Sequence, residues 1–301
     1  MATFTVGSGK DYATINLAIQ ACTNNPLSLG ARDTIVIDPG TFNESLDMRA
    51  TVGGWLIPCI LTAADPDNKP VVTSTGAAQA VRADSVYRGT AVGQFEFHDI
   101  TFSGWTAATN GVVNMPVEGI VIERCEFIGC TGRRVLRWVG GTAAREGRVE
   151  QSLFHTSGST GSGEQGMILT WTVYADVFNN VGICPTNVQF QHDAYTGPRY
   201  TMHNSVYGTW NTGGNAKVFK GVGTFRANVI QNAGTGGSHA IDATGGTYTE
   251  NLAFGAFTTT YAGTNGGGND TGLDPQYTNP GAYDLTTPNT SPCYRTVARS
   301  A

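Results

Sequence analysis

The sequence predicts an all-β fold: a single-stranded, right-handed parallel β-helix of roughly ten coils with a short N-terminal capping helix. Three observations lead there. The composition favours strands and tight turns. A short segment ending in a large apolar residue recurs seven times at nearly constant spacing. A second strand-like run follows most of these segments at a similar distance.

Of the 301 residues, 14% are charged, 40% are hydrophobic and 40 are glycine. That apolar share is too high for a disordered chain. Abundant Gly, Thr and Asn favour strands joined by bends over long helices. The formal net charge is −5, only four residues are lysine, and no basic run occurs, which argues against nucleic-acid binding. No window of about eighteen apolar residues is present, so no membrane insertion is expected. The opening MATFTVGSGKDYATI lacks a basic region followed by an apolar stretch, so no secretory signal is predicted. The six cysteines, Cys22, Cys59, Cys125, Cys130, Cys184 and Cys293, form no Cys-x-x-Cys and no zinc-type spacing with histidine. Buried thiols are the expectation, with a Cys125–Cys130 disulfide as an alternative.

Residues 11–22, DYATINLAIQAC, carry a rough helical stripe at Ile15, Leu17, Ala18, Ile19 and Cys22, with Asp11 as the expected N-cap. A stack of strands leaves an apolar core and unpaired backbone groups at its open end, and this helix is read as the lid. Ile35 and Ile37 flank Val36 in a strand pattern that ends at the Pro39-Gly40 turn. Further strand-like runs lie at 56–61 and 71–73.

From residue 97 the repeat becomes explicit: FHDITF, IERCEF, VEQSLF, VYADVF, MHNSVY, FRANVI and TENLAF. The last residues, Phe102, Phe127, Phe154, Phe178, Tyr207, Ile230 and Phe254, are read as one inward column of anchors, 23 to 29 residues apart. Asn204, Asn228 and Asn251 fall between the two apolar positions, where Asn tolerates left-handed backbone and bonds to its stacked neighbour. The second strand series lies at 112–115, 135–139, 167–171, 188–191, 218–220 and 240–242. A period near 25 residues is too long for a hairpin, lacks the helix of a βαβ unit, and is shorter than a propeller blade. One period therefore makes one turn of a coil, paired to the next at about 4.8 Å. One domain spans residues 1–301: an N-terminal strand and capping helix at 1–30, coils at 31–260 and a closing segment at 261–301.

The opening TFTVGSGKDYATINLAIQAC…DTIVIDPGTFNESL, the closing GLDPQYTNPGAYDLTTPNTSPC and the repeated apolar–polar–Phe segments together resemble the pectin-lyase-like superfamily. The resemblance covers most of the chain and implies a right-handed β-helix. It implies no particular chemistry, because one fold hosts many activities. The aspartate pair and arginine of pectin methylesterases, the calcium-binding aspartates of pectate lyases and the aspartate cluster of polygalacturonases find no counterpart motif here.

Were the chain an enzyme, its catalytic residues are expected at Asp193, His192, Arg137, Lys220 and Asp242. Alternation in VQFQHDA turns Val188 and Phe190 inward and Gln189 and Gln191 outward, and places His192 and Asp193 at the following turn. A carboxylate, an imidazole and two cations suit elimination or hydrolysis of an acidic polysaccharide by a lyase, hydrolase or pectin-type esterase. A second outward column, His98, Glu123, Glu150, Tyr174, His203 and Arg226, reads as solvated surface. Trp105 and Trp210, each three residues after an anchor, are the candidates for stacking on a sugar, and Trp138 and Trp171 read as core. The glycine- and aspartate-rich stretch 263–274 is one imperfect calcium-type repeat, so calcium is a weak expectation and no other cofactor is expected.

The leading expectation is a non-enzymatic bacteriophage protein at the virion surface, a capsid decoration protein or tail adhesin made without a signal peptide. Its expected partners are major capsid or tail proteins, further copies of itself in a homo-oligomer, and a host glycan. A secreted carbohydrate-binding protein and a polysaccharide-degrading enzyme are the alternatives.

Overall fold

The structure, a computed structural model, describes residues 1–22, 32–48, 51–52, 55–56, 59–73, 79–82, 95–107, 111–115, 120–132, 134–139, 147–155, 166–171, 175–184, 189–193, 200–209, 217–235, 239–257, 259–278 and 285. At 51–52, 55–56, 107, 132, 134, 138–139, 166–171, 175, 184, 189–193 and 217 it describes backbone alone.

Short parallel strands stack into three ladders that run the length of a β-helix. The first begins Thr3–Val6, Asp33–Ile37, Cys59–Ala63, Glu96–His98 and Val121–Glu123, and continues to Thr224–Arg226. The second runs from Thr41–Asn43 through Thr101–Ser103 and Glu126–Ile128 to Asp270–Thr271. The third runs from Leu46–Asp47 through Val113–Met115, Arg134–Val139, Gly166–Trp171 and Gln189–Asp193 to Lys217–Gly221. The long strand His239–Thr249 serves the third ladder and then the first, and Thr259–Asn265 pairs along it. Among the described residues one antiparallel pair occurs, Thr51–Val52 with Trp55–Leu56. The third-ladder strands fall where the second strand series was expected.

Alternation fills the interior with one column per ladder. Ile35, Leu61, Phe97, Ile122, Val149, Val177 and Phe225 line the first and are buried. In the second, Phe102, Phe127 and Phe154 stack with ring centroids 5.3 and 4.8 Å apart. The anchor column departs from expectation beyond that point. Phe154 pairs with Gly182, not Phe178, and the column continues through Val206, Ile230 and Ala253. Phe178 lies in the first ladder opposite Glu150. Tyr207 and Phe254 sit one position past the inward column and are partly exposed. The spacing was right but the face was not, because a one-residue slip turns a strand side chain from the core to the outside.

The bend between the first two ladders explains the register. Asp99, Arg124, Gln151, Asn179, His203, Ala227 and Glu250 all take left-handed backbone, φ between 50° and 57°, one per coil. Each backbone N–H donates to a carbonyl of the next coil, as in Asp99 to Glu123 and His203 to Arg226, both 3.1 Å. From the third of these bends on, the residue after each, Ser152, Asn180, Asn204, Asn228 and Asn251, carries a side-chain ladder. Asn204 Oδ1 accepts from the Asn180 backbone N–H at 3.0 Å, Asn228 Oδ1 from that of Asn204 at 3.1 Å, and Asn251 Oδ1 from that of Asn228 at 3.0 Å. The two roles expected of one Asn are thus split between neighbours: the preceding residue takes the strained backbone and Asn makes the bonds.

The lid is the helix Ile15–Ala21, capped by Thr14, whose hydroxyl accepts from the Leu17 N–H. Asp11 is not the cap; its carboxylate instead accepts from the Thr5 N–H and hydroxyl at 2.9 and 2.7 Å. Both oxygens of Glu44 accept from the first helical N–H groups, Ile15 at 2.8 Å and Asn16 at 3.0 Å. Ile15, Ala18 and Ile19 then bury against the first strands.

Candidate functional site

The residues expected to form a catalytic groove fall on the third ladder. Backbone register aligns Arg137, Leu169, Gln191, Lys220 and Asp242 in one column across five successive strands. Three of the five expected residues therefore share a column. His192 and Asp193 do not lie at a turn; they are the last two residues of the strand Gln189–Asp193. His192 takes the register position that Met115 holds in an earlier coil, and Met115 is fully buried. Asp193 pairs with Trp171. The Asp242 carboxylate is itself buried and accepts from the Thr244 N–H at 3.2 Å and from the Thr244 hydroxyl. Arg137 donates to Asn114 Oδ1 at 3.0 Å, in the neighbouring coil. These contacts hold the side chains within the sheet.

Trp105 is fully buried, not partly exposed, and its indole N–H donates to the Val72 carbonyl at 2.9 Å. It presents no face to a sugar. Trp210 lies outside the described residues, as do the side chains of Trp138 and Trp171. In 263–274, Asn265 Oδ1 accepts from the Gly267 N–H at 2.8 Å, and Asn269 Oδ1 accepts from the Asn251 N–H at 3.0 Å, closing the Asn ladder. Among the described residues no three His, Cys, Asp or Glu side chains converge as a metal-ligand set. Cys125 and Cys130 are both free thiols. They point to different partners, the carbonyls of Phe97 and Phe102, both at 3.3 Å, and burial pushes both thiols up to about 12.

Among the described residues, the densest charged arrangement is on the outer face of the first ladder. His98, Glu123 and Glu150 stack in register as expected, but Phe178 and Met202 follow them where Tyr174 and His203 were expected, before Arg226. Tyr174 lies outside the described residues, and His203 belongs to the left-handed bend. His98 lies between two carboxylates, its Nε2 2.9 Å from Glu96 and its Nδ1 3.3 Å from Glu123. Arg32 closes on Glu96, and Arg124 bridges Glu123 and Asp99, the latter at 2.8 Å. Arg148 reaches Glu123 at 3.3 Å and Glu150 at 2.6 Å. The hydrogen bond from His98, and then the Arg32 guanidinium, hold the Glu96 carboxyl at about 2 against the burial that opposes ionisation. Elsewhere Lys69 clips Glu126 at 2.7 Å and Arg226 clips Glu250 at 2.7 Å, each between coils. Sequence reasoning found His98, Glu123 and Glu150 but missed Arg32, Glu96, Arg124 and Arg148. The i+2 spacing of Glu96 and His98 on one strand face was the available signal.

The Glu96 carboxylate, bonded by His98 and Arg32, is held as an anion. A general acid needs a carboxyl whose pKa is raised, and a general base needs one free to take a proton. The arrangement instead ties coil to coil across strands that already share backbone bonds. Comparison of the chain with protein-family models, with curated proteins and with solved structures finds no match.

Proposed function

We propose that this chain is a non-enzymatic structural protein of a bacteriophage virion surface, a capsid decoration protein or tail adhesin, built on a β-helix of the pectin-lyase-like type. The observation that carries the reading is the outer face of the first ladder. Its carboxylates, Glu96, Glu123 and Glu150, are engaged by Arg32, His98, Arg124 and Arg148 from the same and neighbouring coils. A face whose charges neutralise one another stiffens a rod. Such a rod suits display on a particle, contact with capsid or tail proteins, assembly with copies of itself, and adhesion to a host glycan. The test is immunogold microscopy of purified particles with an antiserum against the chain, backed by peptide mass spectrometry. Labelled capsids or tails are expected; particles free of the chain would overturn the proposal.

A second reading, a lyase, hydrolase or esterase acting on an acidic polysaccharide, draws on the shared column of Arg137, Gln191, Lys220 and Asp242. It predicts release of oligosaccharides, or the ultraviolet absorbance of an unsaturated uronate, from a panel of acidic glycans. It also predicts loss of that release in Lys220→Ala and Asp193→Ala. An inactive parent chain would remove it.

A further inference from the structure

The Asn ladder ends on a chemically reactive residue. Its last rung is Asn269, whose Oδ1 accepts from the Asn251 N–H and amide, both at 3.0 Å. Asn269 is in turn held by Asn265, whose Oδ1 accepts from the Asn269 amide at 2.9 Å and from the Gly267 N–H at 2.8 Å. Asn180, Asn204, Asn228 and Asn251 are buried and are followed by Val, Ser, Val and Leu, and Asn269 is followed by Asp. Asn265 is exposed and is followed by Gly266. Glycine has no Cβ to shield its backbone nitrogen, so that nitrogen can reach the side-chain amide of an asparagine before it. Two constraints oppose the attack in the folded chain. The Gly266 N–H donates to the Tyr248 carbonyl at 2.8 Å. The Asn265 amide cannot turn toward the Gly266 nitrogen without losing both bonds to its Oδ1. Yet Asn265 is the last residue of the strand Thr259–Asn265, and the residues from Gly263 to Gly268 are all exposed. A strand end with so little burial opens locally at low cost.

We propose that Asn265 is a deamidation site gated by the Tyr248 carbonyl, and that its conversion to isoaspartate unfastens the last rung of the Asn ladder. When the strand end frays, the Gly266 amide nitrogen gives its proton to a solvent base, and its electron pair attacks Asn265 Cγ. The new N–C bond closes a succinimide ring. The Cγ–Nδ2 bond breaks, and Nδ2 takes up a proton and leaves as ammonia. Water then opens the ring at either carbonyl. Attack at Cγ restores the ordinary backbone and leaves an aspartate. Attack at the main-chain carbonyl routes the backbone through Cβ and Cγ, as isoaspartate. Nothing is oxidised or reduced. Isoaspartate lengthens the backbone between Thr264 and Gly266, so Gly267 and Asn269 shift against the preceding coil. The bonds that then fail run from the Glu250 N–H to the Gly267 carbonyl, 2.9 Å, and from the Asn251 N–H to Asn269 Oδ1, 3.0 Å. None of this depends on the virion reading.

The test uses the full chain, incubated warm at mildly alkaline pH, once folded and once unfolded in guanidinium. Samples taken over time are digested and mapped by mass spectrometry, and isoaspartate is scored with protein isoaspartyl methyltransferase. Conversion at Asn265 is expected in both samples, slower in the folded one by about tenfold or more, because fraying must first break the Gly266 bond and free the Asn265 side chain. Equal rates overturn the gate. Asn265 left intact in the folded sample after many half-lives of the unfolded control overturns the site. Hydrogen exchange of the converted folded chain reads the consequence: the Glu250 and Asn251 amides should lose protection, and unchanged protection there overturns the unfastening. Asn265→Gln, whose longer side chain closes its ring slowly, should stop the conversion. Asn265→Asp keeps the acceptor oxygen and the backbone length, so freshly prepared it should keep Glu250 and Asn251 protected, which separates the lengthened backbone from the added charge. Mapping and exchange of the unsubstituted chain decide the matter even if a variant fails to fold.

Discussion

Asn204 shows most clearly what one side chain does in this molecule. It accepts from the Asn180 N–H and amide, and its own amide donates to the Val177 carbonyl and to Asn228. It is fully buried, so each of these partners loses its bond without gaining water when the amide is removed. Asn204→Ala is expected to cost about 2–4 kcal/mol in urea denaturation. Glu96 carries the clearest pH signal. Its carboxyl is held at about 2, below its ordinary 4.5, by His98 and then by Arg32. A folded-state pKa below the unfolded one stabilises the protein above the unfolded value and loses that contribution as pH falls through the folded one. The Glu96 contribution is therefore complete above about pH 4.5 and lost toward pH 2. In Glu96→Gln, stability measured across that window should fall less steeply than in the parent chain; an unchanged slope would show that the clip does not matter to folding.

At the scale of elements, the helix and the stack make separate predictions. Glu44→Ala removes the carboxylate that receives the first helical N–H groups, and should cost about 1–2 kcal/mol, with faster amide exchange over Ile15–Ala21. In the stack, Phe127 is enclosed between Phe102 and Phe154, whereas Phe254 lies outside the column and is partly exposed. Phe127→Ala should cost about 3–5 kcal/mol through the cavity it leaves, and Phe254→Ala about 1 kcal/mol. Equal costs would restore the seven-anchor column that the spacing alone implies. The period, the third-ladder strands and the lid were all legible, because apolar runs and glycine-rich breaks mark them directly. The register after Phe154 was not. Aromatic residues occur on both faces of these strands, so their spacing alone does not show which face they take. The bend residues show it: Asn180, Asn204, Asn228 and Asn251 align where Phe178, Tyr207 and Phe254 mislead.

At the scale of the whole molecule, most side-chain hydrogen bonds and ion pairs among the described residues run between coils and few within them. That is why the candidate site was only half legible. Arg137, Gln191, Lys220 and Asp242 share a column that alternation within a strand revealed. The clips of the first ladder did not show in the sequence, because Arg32 meets Glu96 and Lys69 meets Glu126 across more than one coil's length of chain. The central claim is that successive coils rise by one strand spacing along a single axis, and spin labels measure it directly. Register leads from Thr3 through Thr34, Ile60, Glu96 and Val121 to Arg148, and the same ladder reaches Thr224 three strands later. With Thr3→Cys paired to Arg148→Cys or to Thr224→Cys, and the unsubstituted chain labelled as background, pulsed electron resonance should give about 24 Å and about 38 Å. Equal distances for the two pairs, or a shorter one to Thr224, would contradict the coil.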